Sequence, residues 1–197
     1  MIELILGIDR SIVLAVNSAN SPFWDEVMWI VSSKLFWLLP LSLILFAAWK
    51  QLQVKSFWLF VICGIGLYAI TDQVCLHFFK NLVLRQRPSY HPELSKMLHF
   101  YNNEGEYYKG KEFASFVSSH AANYFAMLSF LFFAIGKKLN PLIWILFIIG
   151  LFVCYSRMYL GVHYPSDLIG GALVGILLAF LVDKYVFRKL QSLYCKS

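Results

Sequence analysis

The sequence predicts an all-α, polytopic membrane bundle of about six helices, in one domain spanning 1–197. Three observations carry that prediction. Apolar residues make up 59% of the chain and charged ones 14%, whereas a soluble domain is about half apolar and a quarter charged. The apolar residues fall in runs approaching the roughly 20 residues that a helix needs to cross a bilayer. The basic residues punctuate those runs instead of lining a soluble element. The net charge of +6 therefore marks membrane boundaries and a site, and nucleic acid is not an expected partner.

The elements follow in order. Residues 1–22 hold an N-terminal helix, "MIELILGIDRSIVLAVNSAN", that carries Glu3 and Asp9 and lacks the basic start of a cleavable leader. It is mildly amphipathic and reads as an interfacial helix or a sixth, weaker span. The first clear span lies within 23–49, with Lys34 as an interruption. The second covers about 56–79, and the third begins just after Ser119 and ends near Ile135. The fourth covers 141–154 and can extend to Tyr159, and the fifth covers 167–182. Asp72 falls inside the second span and needs a partner there, a hydrogen bond from a neighbouring helix being the default. Gly171 and Gly175 form a small-x-x-x-small pair in the fifth, which predicts close helix packing. Cys63, Cys75, Cys154 and Cys195 form no C-x-x-C pair, so they read as small hydrophobes and not as a disulfide or zinc framework.

The connections at 50–55 and 136–141 are short and basic, as is the C-terminus. The positive-inside rule places all three in the cytoplasm. Alternation then puts 80–118, 155–167 and the region near Lys34 on the opposite side. In a bacterium that means an inner-membrane protein whose polar ends face the periplasm. The one long connection, 88–117, mixes aromatics, glycines and both charge signs and lies over those ends. A connection of that length in a compact domain is usually functional or disordered.

Three polar segments share the non-cytoplasmic side. In "KNLVLRQRP", Lys80 and Arg87 are seven residues apart, two helical turns, so they share a face, and Pro88 then breaks or redirects the helix. Alone, this cluster reads as snorkelling basic residues, and Arg85, pointing elsewhere, is the natural snorkeler. In "SFVSSHAAN", Ser118 or Ser119 caps an apolar run, with His120 in the first turn. A helix N-terminus offers free N–H groups and a positive dipole end, which suit an anion. In "YSRMYLGVHYPSD", Arg157, His163 and Asp167 stand between the last two spans, and Pro165 suits a first helical turn. Asp167 follows His163 by four residues and can orient its imidazole; alone, it reads as a helix cap. Together the segments supply cations, hydroxyls and helix N–H groups for a phosphate. They also supply two histidines, one as nucleophile and one as general acid. No acidic cluster of the kind that holds Mg²⁺ stands out, so neither metal nor cofactor is expected.

These segments resemble the three-part pattern of the type 2 phosphatidic acid phosphatases, relatives of the vanadium haloperoxidases. That pattern is K-x6-R-P, then P-S-G-H, then S-R-x5-H-x3-D. Here it reads Lys80…Arg87-Pro88, then "VSSH" at 117–120, then Ser156-Arg157…His163…Asp167. The first and third parts match at every fixed position, and the resemblance covers about 56–183. Residue by residue, it implies that Lys80, Arg87 and Arg157 bind phosphate oxygens. It implies that Ser118, with the amides of Ser119 and His120, completes the cradle. His163 would attack phosphorus, Asp167 would orient His163, and His120 would protonate the leaving oxygen and then activate water. In the middle part Val117 replaces Pro and Ser119 replaces Gly. The serine is a mild change where the backbone angles are ordinary and a costly one where φ is positive.

The resulting expectation is a metal-independent lipid phosphatase that acts through a phosphohistidine on a membrane lipid phosphate in the bilayer. Undecaprenyl diphosphate is the first substrate expected; phosphatidylglycerol phosphate and lipid A phosphates are the competitors. A non-catalytic lipid-phosphate-binding protein is the rival from another class, and the intact His163–Asp167 pair speaks against it. A transporter is a third reading, against which the clustering of the motifs at one side argues.

Overall fold

The structure is a computed structural model that describes residues 2–33, 35–103, 106–110, 113–136 and 140–194. Lys34, Cys195 and residues 137–139 of the second basic connection lie outside the described residues. The helices run α1 (Ile2–Ser18), α2 (Pro22–Ser32), α3 (Leu38–Gln51), α4 (Val54–Gln73), α5 (Ser119–Ile135), α6 (Asn140–Tyr159), α7 (Pro165–Val182) and α8 (Arg188–Tyr194). Wider π-helical turns continue α4 through Val74–Lys80 and join α7 to α8 through Asp183–Phe187. Among the described residues, three helical stretches are long and apolar enough to cross a bilayer: Val54–Lys80, Pro141–Tyr159 and Pro165–Tyr194. With α3 and α5, apolar but shorter, they make the chain an all-α integral membrane protein.

The stretch expected as one span over 23–49 is two helices. Ser21 starts α2 by accepting a hydrogen bond from the Trp24 amide at 3.3 Å, with Pro22 in the first helical position. Ser33 ends it in an extended conformation (φ −77°, ψ 158°). Its hydroxyl accepts the Phe36 amide at 3.3 Å, an instance of a serine side chain drawing the backbone out of a helix.

The centre of the bundle is α5. Ala121 to Leu128, Phe130 and Leu131 are all buried, so this helix is covered on every side, as an all-round apolar helix must be. It packs against α3, α4, α6 and α7. The α4 contact includes Phe60 stacked on Phe130 at 4.7 Å, with Phe187 edge-on to both. The α7 contact uses the expected small pair. A Cβ on Gly171 would lie 2.5 Å from the Ser118 carbonyl oxygen, and one on Gly175 would run into the Ala122 carbonyl. The two backbones therefore touch, which fixes the start of α5 against the start of α7.

The long connection is organised by backbone pairing at its base. The Arg87 amide donates to the Phe113 carbonyl (3.1 Å) and the Ser115 amide to the Arg85 carbonyl (2.8 Å), an antiparallel bridge centred on Gln86 and Ala114. Between them lie two short 3₁₀ turns and a two-stranded ribbon, β1 (Asn102–Asn103) with β2 (Glu106–Tyr107). Asn17 of α1 pins this segment: its amide donates to the His99 and Tyr159 carbonyls (2.8 and 2.6 Å) and its oxygen accepts the His99 amide (2.7 Å).

Candidate active site

The parts of the site come from helix ends and from the segments that join them. Lys80 closes the π-helical end of α4 and is buried. The chain leaves the helix after Leu82, and Arg87 is extended (φ −63°, ψ 154°), as a residue before proline tends to be. The shared helical face expected for Lys80 and Arg87 is therefore absent; one reaches the site from a helix and the other from the bridged segment. Ser118 stands at the N-cap of α5 but makes no side-chain cap bond. Its amide donates instead to the Asp167 carbonyl at 3.0 Å, tying the start of α5 to α7. Ser119 is the first helical residue, so the serine found where the family has glycine needs no positive φ. The Ser118 and Ser119 hydroxyls are buried without a protein partner among the described residues. The first amides of α5 likewise lack intrahelical acceptors.

The third part folds around a tight helix exit. Gly161 takes a left-handed φ of +66° after α6, a conformation that costs glycine little. Val162, His163 and Tyr164, all buried, then join it to Pro165, which opens α7. Arg157, in the last turn of α6, donates to the Ser32 hydroxyl of α2 and to the Tyr108 hydroxyl (3.3 Å).

Six of the expected site residues line one cavity of about 1120 Å³, and Ser118 and Asp167 stand behind its lining. Lys80, Arg87, Ser119, His120, Arg157 and His163 form its polar end, and α3, α4 and α5 enclose the rest with side chains such as Ile44, Ile65 and Met127. Three cations and an open helix N-terminus thus cap a mostly apolar chamber.

His163 is fully inside the protein. Burial pushes its pKa well below the ordinary value, and the Arg87, Arg157 and Lys80 cations push the same way. The ring is accordingly neutral at neutral pH. Arg87 Nη1 lies 3.1 Å from His163 Nε2 and also donates to the Val162 carbonyl at 3.1 Å. A guanidinium can only donate, so Nε2 carries the lone pair and Nδ1 carries the proton. Nδ1 faces Asp167 Oδ2 at 3.5 Å, beyond hydrogen-bond length. That same Oδ2 accepts the Tyr164 amide at 2.9 Å in a capping box. The cap and the histidine neighbour, which the sequence offered as alternatives for Asp167, are both present.

Arg85 is not a snorkeler. It pairs with Asp167 Oδ1 (2.9 Å) and with Asp9 Oδ2 of α1 (2.7 Å). Asp72 is met by the Asn123 side chain of α5, whose Nδ2 donates to Oδ1 at 3.4 Å.

A profile of the PAP2 superfamily matches residues 61–191. The chain belongs to that family. It is 34% identical over 184 residues to a lipid A 4'-phosphatase of Bacteroides thetaiotaomicron, covering 89% of this chain and 75% of the relative. It is 30% identical over 189 residues to a lipid A 4'-phosphatase of Porphyromonas gingivalis, covering 95% and 77%. Among solved structures, Aquifex aeolicus LpxE superposes with a TM-score of 0.61 at 21% identity, over 90% of this chain and 96% of the other. This PAP2 protein is a phosphoric ester hydrolase of the lipid phosphatase type.

Sequence reasoning missed Arg85, Asp9, Ser32 and Tyr108. An acid in the apolar helix 2–18 was the available signal for Asp9, since such a group needs a partner. Ser32 and Tyr108 carry no sequence signal; only the fold brings them to Arg157.

Proposed function

We propose that this PAP2 protein removes a phosphate monoester from a glycolipid of the lipid A type, by way of a phosphohistidine on His163. The observation that carries the chemistry is the lone pair of His163 Nε2, held against Arg87 in a chamber with two further cations. Lys80, Arg87 and Arg157 bind the phosphate oxygens, with the Ser118 and Ser119 hydroxyls and the first amides of α5 completing the cradle. Nε2 attacks phosphorus, and the bond from phosphorus to the lipid oxygen breaks as His120 gives that oxygen a proton. His163 gains positive charge in this step, and Asp167, 3.5 Å from Nδ1, stabilises it; such contacts tighten when the charge develops. Water then attacks phosphorus, passing its proton to His120. The P–N bond breaks and inorganic phosphate leaves. The scheme uses no metal.

Two relatives aligned over most of this chain bear the lipid A 4'-phosphatase name; this favours lipid A over the undecaprenyl diphosphate expected from the sequence. The apolar part of the chamber suits the acyl chains. The basic connections support a site on the periplasmic side of the inner membrane.

The test is phosphate release in EDTA from a panel of lipid A, phosphatidylglycerol phosphate and undecaprenyl diphosphate. The expected result is release from lipid A, lost in His163→Ala. Preferred release from undecaprenyl diphosphate moves the substrate assignment. Binding without release makes the protein a lipid-phosphate binder. A reporter fused after Ser197 stays cytoplasmic under this orientation, and a periplasmic signal reverses it.

A further inference from the structure

We propose that Arg85 and Asp9 form a positioning pair that holds Asp167, and through it His163, so that helix α1 is part of the catalytic apparatus. The inference rests on the phosphohistidine reading above. Arg85 is a fork with three anchors. Its Nη1 donates to Asp167 Oδ1 (2.9 Å) and to the Ser166 hydroxyl (2.6 Å), and its Nη2 donates to Asp9 Oδ2 (2.7 Å). Its guanidinium lies over the Tyr164 ring at 3.9 Å, close enough for a cation–π contact. Asp9 in turn accepts the Ser166 amide at 3.0 Å and the Ser166 hydroxyl. The network therefore grips residues 164, 166 and 167, the start of α7, from α1 and from the bridged segment.

Neither Arg85 nor Asp9 lines the cavity, so neither is placed to touch a phosphate. Their effect must pass through Asp167. That carboxylate is fully buried, and a buried carboxylate without a partner is costly. Arg85 occupies Oδ1, which leaves Oδ2 for the Tyr164 amide and the face of His163 Nδ1. Remove Arg85, and Asp167 keeps the Tyr164 amide and the Ser115 hydroxyl but loses its charged donor at Oδ1; the carboxylate is then freer to rotate or take up a proton, and the reference for the ring loosens. The side chain of Arg85 is only 17% exposed and Asp9 only 4%, so solvent replaces little of what is lost. Lysine keeps the charge of Arg85 but cannot span two carboxylates and stack on a ring at once.

The experiment compares Arg85→Gln, Arg85→Lys and Asp9→Asn with wild type, alone and in an Asp167→Asn background, on lipid A in detergent. Partners that orient a functional group typically matter by 10- to 100-fold. Arg85→Gln is expected to lower kcat by about that factor with KM within about twofold, and Arg85→Lys to recover part of the loss. In the Asp167→Asn background Arg85→Gln is expected to cost less than about threefold, because the group it acts through is already gone. A rise in KM at unchanged kcat, or the full loss persisting beside Asp167→Asn, overturns the proposal. If Arg85→Gln does not fold, Asp9→Asn is judged by the same split. A second readout needs no turnover and so separates this proposal from the phosphatase reading. In ¹⁵N-histidine-labelled protein, His163 is expected as a single tautomer protonated at Nδ1, and Arg85→Gln as a mixture. A His163 spectrum that Arg85→Gln leaves unchanged overturns the positioning role, whether or not any lipid is hydrolysed.

Discussion

Gly171→Ala tests whether the contact between α5 and α7 sets the geometry of the site. The added methyl carbon would sit 2.5 Å from the Ser118 carbonyl oxygen, where ordinary contact begins at 3.4 Å, so the helix ends must part by roughly 0.9 Å. The opposing atom is backbone, which cannot swing aside. Ser118 also donates its amide to the Asp167 carbonyl, so the displacement falls between the phosphate cradle and the residue beside His163. A misplacement of about 1 Å costs on the order of 100-fold in rate. Helix propensity alone favours alanine over glycine by about 1 kcal/mol, so turnover is expected to fall further than stability. The assay is lipid phosphate release with a thermal melt on the same preparation. Gly66→Ala is the control, because a methyl there meets nothing within 4 Å. Gly171→Ala with wild-type turnover would refute the argument that this backbone contact holds the site.

Phe130→Ala removes a ring stacked on Phe60 and met edge-on by Phe187; a loss of about 3–5 kcal/mol is expected, read as a lowered melting temperature in detergent. Asn17→Ala breaks three hydrogen bonds to the long connection and the end of α6, and limited proteolysis is expected to cut within 94–110 faster than in wild type. Acid is expected to destabilise the protein through His163. Its pKa lies below the ordinary histidine value in the fold, so the stability it contributes is present above about pH 6.5 and is lost as pH falls from there towards the folded pKa. Melting against pH is expected to fall less steeply in His163→Gln, and inorganic phosphate is expected to offset the wild-type fall by balancing the cations.

The helices were legible because hydropathy is a one-dimensional signal. The run that begins just after Ser119 is the clearest case: it predicts α5 (Ser119–Ile135) to within about a residue. The break between α2 and α3 was legible only as the oddity of Lys34, because Ser33 ends a helix through a local hydrogen bond that hydropathy does not record. The polar end of the cavity was readable from three motifs, as each has fixed spacing within one segment. Helical periodicity misled over Lys80 and Arg87, since Pro88 and the pairing with residues 113–115 pull Arg87 out of the helix. Arg85 was misread because its partners stand 76 and 82 residues away. A spacing rule within one segment cannot see an ion pair made by α1 and α7.

The backbone bridge at Gln86 and Ala114 has a consequence for how such proteins diversify. It closes the long connection at its base, as a drawstring closes a bag. Ser118 stands outside the closed segment, and Arg87 is its first residue, held at the base by its amide bond to the Phe113 carbonyl. For a flexible loop, doubling the length adds only about 0.6 kcal/mol of closure entropy. Outside Tyr108, which holds Arg157, and Gly110, which lies against Arg87, the segment beyond the bridge is therefore a region where insertions and exchanges between relatives can remodel the approach of a headgroup while the reacting groups keep their places.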